Sequence, residues 1–217
     1  MTRRVRRPLV LLSIFGLVVA ACGGAAAEGS IRYVDPSSQT LIEVPASWHL
    51  YELEELSQRL DDLPFVEVVQ GLEFPLQSMV AFDGAPFERA ENLAVAIPEA
   101  DYPIGAATVR SIGDVEREFV SRFTLTQAVI PYRSLPNAQE IMKEDFGFGN
   151  GYEGVRVLVA FGDETGQEVG VAYLISVTDP EDTRMFSVAA GCSRDCFVER
   201  QDEIESVVDS WLVNTRG

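Results

Sequence analysis

The sequence predicts an α+β fold built on a mainly antiparallel sheet, and three observations predict it. Two apolar runs, Gly154–Phe161 and Glu168–Thr178, flank Gly162-Asp163-Glu164-Thr165-Gly166, which has the composition of a hairpin turn. A second turn cluster, Asp179-Pro180-Glu181-Asp182, leads into the strand-like run Arg184–Ala190. A stripe at helical spacing then closes the chain. Strands joined by hairpins, with helices inserted between groups of them, argue for helices packed on an antiparallel sheet.

The remaining elements follow in chain order. Ile31–Val34 and Thr40–Val44 read as short strands parted by Asp35-Pro36-Ser37-Ser38. Leu50, Leu53, Leu56, Leu60 and Leu63 recur at spacings of three and four, the stripe of an amphipathic helix, and Pro64 stops it. Leu93–Ile97 and Ala106–Ile112 read as strands, the first so apolar that burial on both faces is expected. Asp114 stands where it caps a helix on which Val115, Phe119 and Phe123 share one face. Ile130–Ala138 holds Pro131 and Pro136 and reads as a connection. The last helix is expected from about Phe197 to Leu212, with Ile204, Val207, Val208, Trp211 and Leu212 inward and Glu199, Asp202, Glu203 and Glu205 outward.

The N-terminus carries the clearest address. Arg3, Arg4, Arg6 and Arg7, with no acid among them, precede the apolar run Leu9–Ala21. That run has 13 residues, whereas a spanning helix needs about 20, so the layout is that of a secretory signal. Val19-Ala20-Ala21-Cys22 resembles the lipobox of bacterial lipoproteins. The resemblance implies cleavage before Cys22, acylation of its thiol, and a mature chain held on the outer face of the cell membrane. Competing readings are ordinary secretory cleavage after Ala21 or within Ala25–Ala27, and a retained anchor helix. On the lipoprotein reading residues 1–21 are the signal peptide, 22–30 a lipidated flexible linker (GGAAAEGS after the cysteine) and 31–217 one domain.

Charge narrows the partners. The chain has 17 basic and 34 acidic residues, and removing Met1–Ala21 takes four arginines and no acid, leaving a net charge of −21. Such a body repels nucleic acid, whose binders need basic patches, and it repels anionic lipid headgroups. Membrane attachment therefore falls to acyl chains on Cys22, each buried methylene contributing about 0.8 kcal/mol. Cys192 and Cys196 remain after lipidation, and an exported protein permits a disulfide between them. Closing so small a loop adds about 2 kcal/mol on the chain-entropy account, and its expected use is to pin the corner between the last strand and the last helix. Two free thiols, or half of a metal site, are the alternatives.

The opening IRYVDPSSQTLIEVPASWHLYE has a strand, an Asp-Pro turn, a second strand ending in Val-Pro, and a Trp; the close is a hairpin, a strand and a helix ending SVVDSWLV. Together these resemble the PsbP-like family, over roughly the first 25 and the last 65 residues of the domain. The resemblance implies an α/β/α sandwich with a central, mainly antiparallel sheet, and a non-catalytic accessory or binding role. No partner-binding or metal-binding residue of any member matches a position here, so none is carried over, and no cofactor is expected.

Candidate sites are few. His49 is the one histidine, so a hydrolase with a histidine base has to use it, yet no G-x-S-x-G elbow is present. Gly149-Asn150-Gly151-Tyr152-Glu153-Gly154 matches G-x-G-x-x-G but precedes a strand instead of opening a helix, which excludes the dinucleotide reading. The wider Phe146–Tyr152 segment sets three aromatics among glycines, either a ligand-facing loop or one whose rings tuck onto the core. The acidic groups Asp61-Asp62, Asp163-Glu164, Asp179–Asp182 and Asp202-Glu203 lack the alternating-oxygen spacing of a calcium loop and read as solvated surface. Trp48 and Trp211 read as core. The expectation is a lipid-anchored, non-enzymatic envelope protein serving a protein partner, with a carrier of an apolar small molecule, or a hydrolase using His49, as alternatives.

Overall fold

The computed structural model describes residues 29–59, 76–88, 90–125, 127 and 129–215. Strands β1 (Ser30–Asp35) and β2 (Thr40–Pro45) form an antiparallel hairpin, and β10 (Leu212–Val213) adds to the other side of β2. A larger, wholly antiparallel sheet has the order β3-β4-β5-β9-β8-β7-β6. Its strands are β3 (His49–Glu52), β4 (Leu76–Asp83), β5 (Ile104–Ser111), β6 (Gln139–Gly149), β7 (Tyr152–Gly162), β8 (Glu168–Thr178) and β9 (Arg184–Ser193). The meander β6 to β9 folds back so that β9 lies beside β5, closing the two halves into one sheet.

The expected hairpins at Asp35–Ser38 and Gly162–Gly166 are present, as is the turn at Asp179–Asp182. The helical cover is thinner than expected. Four α-helical segments are described: α1 (Leu53–Arg59), α2 (Asp114–Arg117), α3 (Arg122–Leu125) and α4 (Arg194–Ser210). Only α4 is long, and it packs against β2, β8 and β9. Its Ile204, Val207 and Val208 join Val171, Tyr173, Ile175, Phe186 and Val188 of the sheet, and Ile42 and Val44 of β2, in the main core. The opposite face of the sheet, with Val155, Val157, Val159, Phe161 and Leu174, is covered by Ile112, Leu125 and Tyr132. That cover is two four-residue helices and a 3-10 turn, so the architecture is more sheet-rich than a helix-flanked α/β/α sandwich.

Several boundaries are corrected by tertiary pairing. Leu50 belongs to β3, because His49–Glu52 pair with Val80–Asp83, and the helix starts only at Leu53. Leu60, Leu63 and Pro64 of the expected stripe lie outside the described residues. Leu93–Ile97 is not a strand; 3-10 turns at Ala90–Ala94 and Ile97–Glu99 lay Leu93 and Ile97 onto the sheet as cover, and Val95 stays 39% exposed. A short apolar run does not distinguish a central strand from a cover.

The helix expected after Asp114 is capped at Gly113 and ends at Arg117, leaving Val115 and Phe119 outward at 74% and 65% exposure. Its polar side turns in instead, because Glu116 pairs with Arg110 of β5. The last helix begins three residues early, and Leu212 leaves it to pair with β2, 49% exposed. Strands β4 and β6 are additions. β6 is half of a two-residue hairpin whose Asn150 and Gly151 both have positive φ, the left-handed pair that a type I′ turn requires.

Candidate functional site

Cys22, the expected lipidation site, lies outside the described residues, as do the signal and all but the end of the linker; Ser30 already pairs with Pro45 in β1. Among the described residues no helix is long and apolar enough to cross a membrane.

The cysteine pair is where the sequence places it. Cys192 is the next-to-last residue of β9, Cys196 sits in the first turn of α4, and their sulfurs are at bonding distance, 2.06 Å. The link ties the strand to the helix across the corner, with Cys192 fully buried. Among the described residues no group of three or more His, Cys, Asp or Glu side chains comes together.

His49 sits on β3, the edge strand, opposite Asp83 in register. Proximity does not make a pair. The fully buried Asp83 carboxylate accepts the Ala85 N–H and the Asn92 side-chain amide, each at 2.7 Å, and so closes the loop after β4. His49 Nε2 is buried and has no hydrogen-bond partner among the described residues. A general base needs an orienting acceptor, and the carboxylate opposite His49 is bonded to Ala85 and Asn92.

The aromatic-glycine segment proves to be a structural clasp. Phe146 and Phe148 meet edge to face at 5.2 Å, Phe148 meets Trp211 at 5.3 Å, and Tyr152 lies 5.8 Å from Phe186. The rings fasten the β6–β7 tip over the end of α4, where Trp211 is 1% exposed. Tight approach explains one glycine: a Cβ on Gly154 would collide with the Ser176 carbonyl of the adjacent strand. The tip also borders an open hollow of about 360 Å³ lined by Asp145, Phe146, Tyr152, Glu153 and four glycines.

Acidic residues that read as solvated surface are partly structural. Asp163 accepts from Thr165 N, Thr165 Oγ1 and Gln167 N, and these bonds hold its carboxyl below the usual range. Asp179 does the same with Thr183 and Arg184; burial pushes its pKa up, but the hydrogen bonds outweigh it and the net shift is downward. Asp61-Asp62 lie outside the described residues. Asp35 is the most heavily served, accepting from the hydroxyls of Ser37, Ser38 and, across to β4, Ser78. Burial opposes its charge, and the donors win, leaving its carboxyl well below the usual range.

Sequence reading missed an ionic network beneath α4. Arg156 stacks 4.9 Å over the Tyr173 ring, bonds Asp209 at 2.7 Å and approaches Glu144 at 3.8 Å. The Tyr173 hydroxyl donates to Glu205, which also accepts from Gln201 at 2.8 Å. Burial, then the Glu205 carboxylate, pushes the Tyr173 pKa up to about 12. The network therefore keeps a neutral phenol on an ionised acid and stitches α4 to the sheet. Arg156 alternates with Val155, Val157 and Val159, and that placement was the available signal.

A second, more enclosed hollow of about 140 Å³ lies on the opposite face, lined by Arg110, Ile112, Glu116, Phe119, Val120, Thr124, Leu125 and Met185. It also escaped sequence reading, since its walls come from β5, the α2–α3 segment and β9.

No protein-family model matches the chain, and no curated protein matches it. The fold is PsbP-like, a mostly antiparallel sheet with few helices. The solution structure of cyanobacterial PsbP (CyanoP) from Synechocystis sp. PCC 6803 matches with a TM-score of 0.50 and 12% identity, covering 90% of this chain and 98% of that one. The crystal structure of LpqN, involved in cell envelope biogenesis of Mycobacterium tuberculosis, matches with a TM-score of 0.49 and 14% identity, covering 84% of this chain and 88% of that one. At 12% identity the likeness to CyanoP speaks for the fold alone.

Proposed function

We propose that this chain is a lipid-anchored, extracytoplasmic, non-enzymatic accessory protein of the bacterial cell envelope. The observation that carries the reading is Val19-Ala20-Ala21-Cys22 behind a basic and then apolar leader. The acyl chains on Cys22 would hold the membrane, and the acidic PsbP-like domain would engage a protein partner at the outer face. The state of His49 supports the non-enzymatic part: the carboxylate opposite it is already committed to the loop after β4.

Fractionation tests the anchor. Wild-type chain is expected to stay on membranes through a high-salt wash and the Cys22→Ser chain to be released; a Cys22→Ser chain that stays bound refutes acyl anchoring. Native mass spectrometry after gentle extraction tests the role. A stoichiometric protein partner supports it, and a chain carrying acyl groups but no partner counts against it. The carrier alternative has one observation in its favour, the partly enclosed hollow beside Met185.

A further inference from the structure

We infer that the hollow between the α2–α3 segment and the sheet is a binding site for an uncharged apolar small molecule about the size of one benzene ring. The inference extends the carrier alternative and does not depend on the anchor.

Wall chemistry argues for the ligand class. Ile112, Phe119, Val120, Leu125 and Met185 form the apolar surface. The two charged groups at the wall neutralise each other: Arg110 grips both Glu116 oxygens through a two-pronged ion pair and also donates to the Ser111 carbonyl at 3.2 Å. Thr124 is committed too, its hydroxyl bonding the Ser121 N–H at 2.8 Å and the Phe119 carbonyl at 2.9 Å. With the Arg110–Glu116 ion pair and the Thr124 hydroxyl engaged in bonds within the wall, recognition rests on shape and apolar contact.

Volume sets the size. The hollow measures about 140 Å³, and an apolar cavity of about 150 Å³ stays dry and takes up benzene. It is too small for a drug-sized molecule, whose sites start at about 300 Å³. Access is open on one side, because Phe119 lines the hollow and is still 65% exposed. An occupant would take that exposed ring out of water.

The test is carbon-13 methyl NMR of the full chain in lipid nanodiscs, titrated with benzene at fixed vapour pressures, with empty discs as reference. The Ile112, Val120, Leu125 and Met185 methyls are expected to shift saturably, while Ile204 and Val207 under α4 stay put. Val120→Phe puts a ring in the hollow and is expected to abolish saturation. Phe119→Ala, at an exposed position that leaves the fold intact, is expected to weaken binding at least threefold and keeps the test decisive if Val120→Phe does not fold. Shifts that grow linearly with benzene, or saturable binding unchanged in Phe119→Ala, overturn the inference. Release of the Cys22→Ser chain from membranes is read separately, so failure of this site and failure of the anchor are distinguishable.

Discussion

Phe148→Ala tests whether the glycine-rich tip is a clasp or a ligand-facing loop. Phe148 is half-buried and pairs edge to face with Phe146 at 5.2 Å and with Trp211 at 5.3 Å. Fully burying a Phe side chain is worth about 1.5–3 kcal/mol, so half burial contributes roughly 1 kcal/mol. Each edge-to-face pair adds about 0.5–1.5 kcal/mol. Truncation is therefore expected to cost about 3 kcal/mol. With a urea slope of about 2 kcal/mol per molar, the unfolding midpoint falls by about 1.5 M. Urea titration followed by tryptophan emission reads this directly, since Trp211 is the partner ring. A loop residue facing solvent or a missing ligand would change stability by no more than about 0.5 kcal/mol. A midpoint within about 0.25 M of wild type, at unchanged slope, refutes the clasp.

Two further expectations are independent of that one. Replacing Cys192 and Cys196 by Ser opens a link between residues four apart, so the loss is expected near the small-loop end, about 2 kcal/mol, or roughly 5 °C in Tm for a domain of this size; no change in Tm by calorimetry would show that the corner holds without it. Acid stability follows the carboxylates whose folded pKa values lie below their ordinary ones, Asp35, Asp179 and Glu116 among them. The unfolded chain binds their protons first, so the stability they add is present above the ordinary values of 3.8 and 4.5 and is lost as pH falls below them. The urea midpoint is expected to drop between pH 5 and pH 3, and the gap between wild type and Asp35→Asn to shrink over the same range; a constant gap would refute the role given to Asp35.

Local signals and distant pairings divide this protein cleanly. The last third was legible because its signals are local: turn residues set the β7–β8 and β8–β9 connections, and the α4 stripe repeats at helical spacing over many residues. Asn150-Gly151 is an equally local hairpin signal for β6 and β7, set within a run of other glycines. The middle was not legible. Whether Leu50 is helical or extended depends on β4, and whether Leu93 is strand or cover depends on the sheet beneath it. Periodicity puts Val115 and Phe119 on one helix face, yet the Arg110–Glu116 ion pair, which joins residues from different elements, leaves both exposed.

By itself, then, the sequence determined the basic and then apolar run before Cys22, the acidic charge, the antiparallel class and the proximity of Cys192 to Cys196, all properties of composition or of residues a few positions apart. Only the tertiary structure decided which face of the sheet α4 covers, where the aromatic tip lands, that His49 faces a committed carboxylate, and that a ring-sized hollow opens beside Met185. Those depend on side chains brought together from strands far apart in the chain, and no local pattern encodes the order in which strands pair.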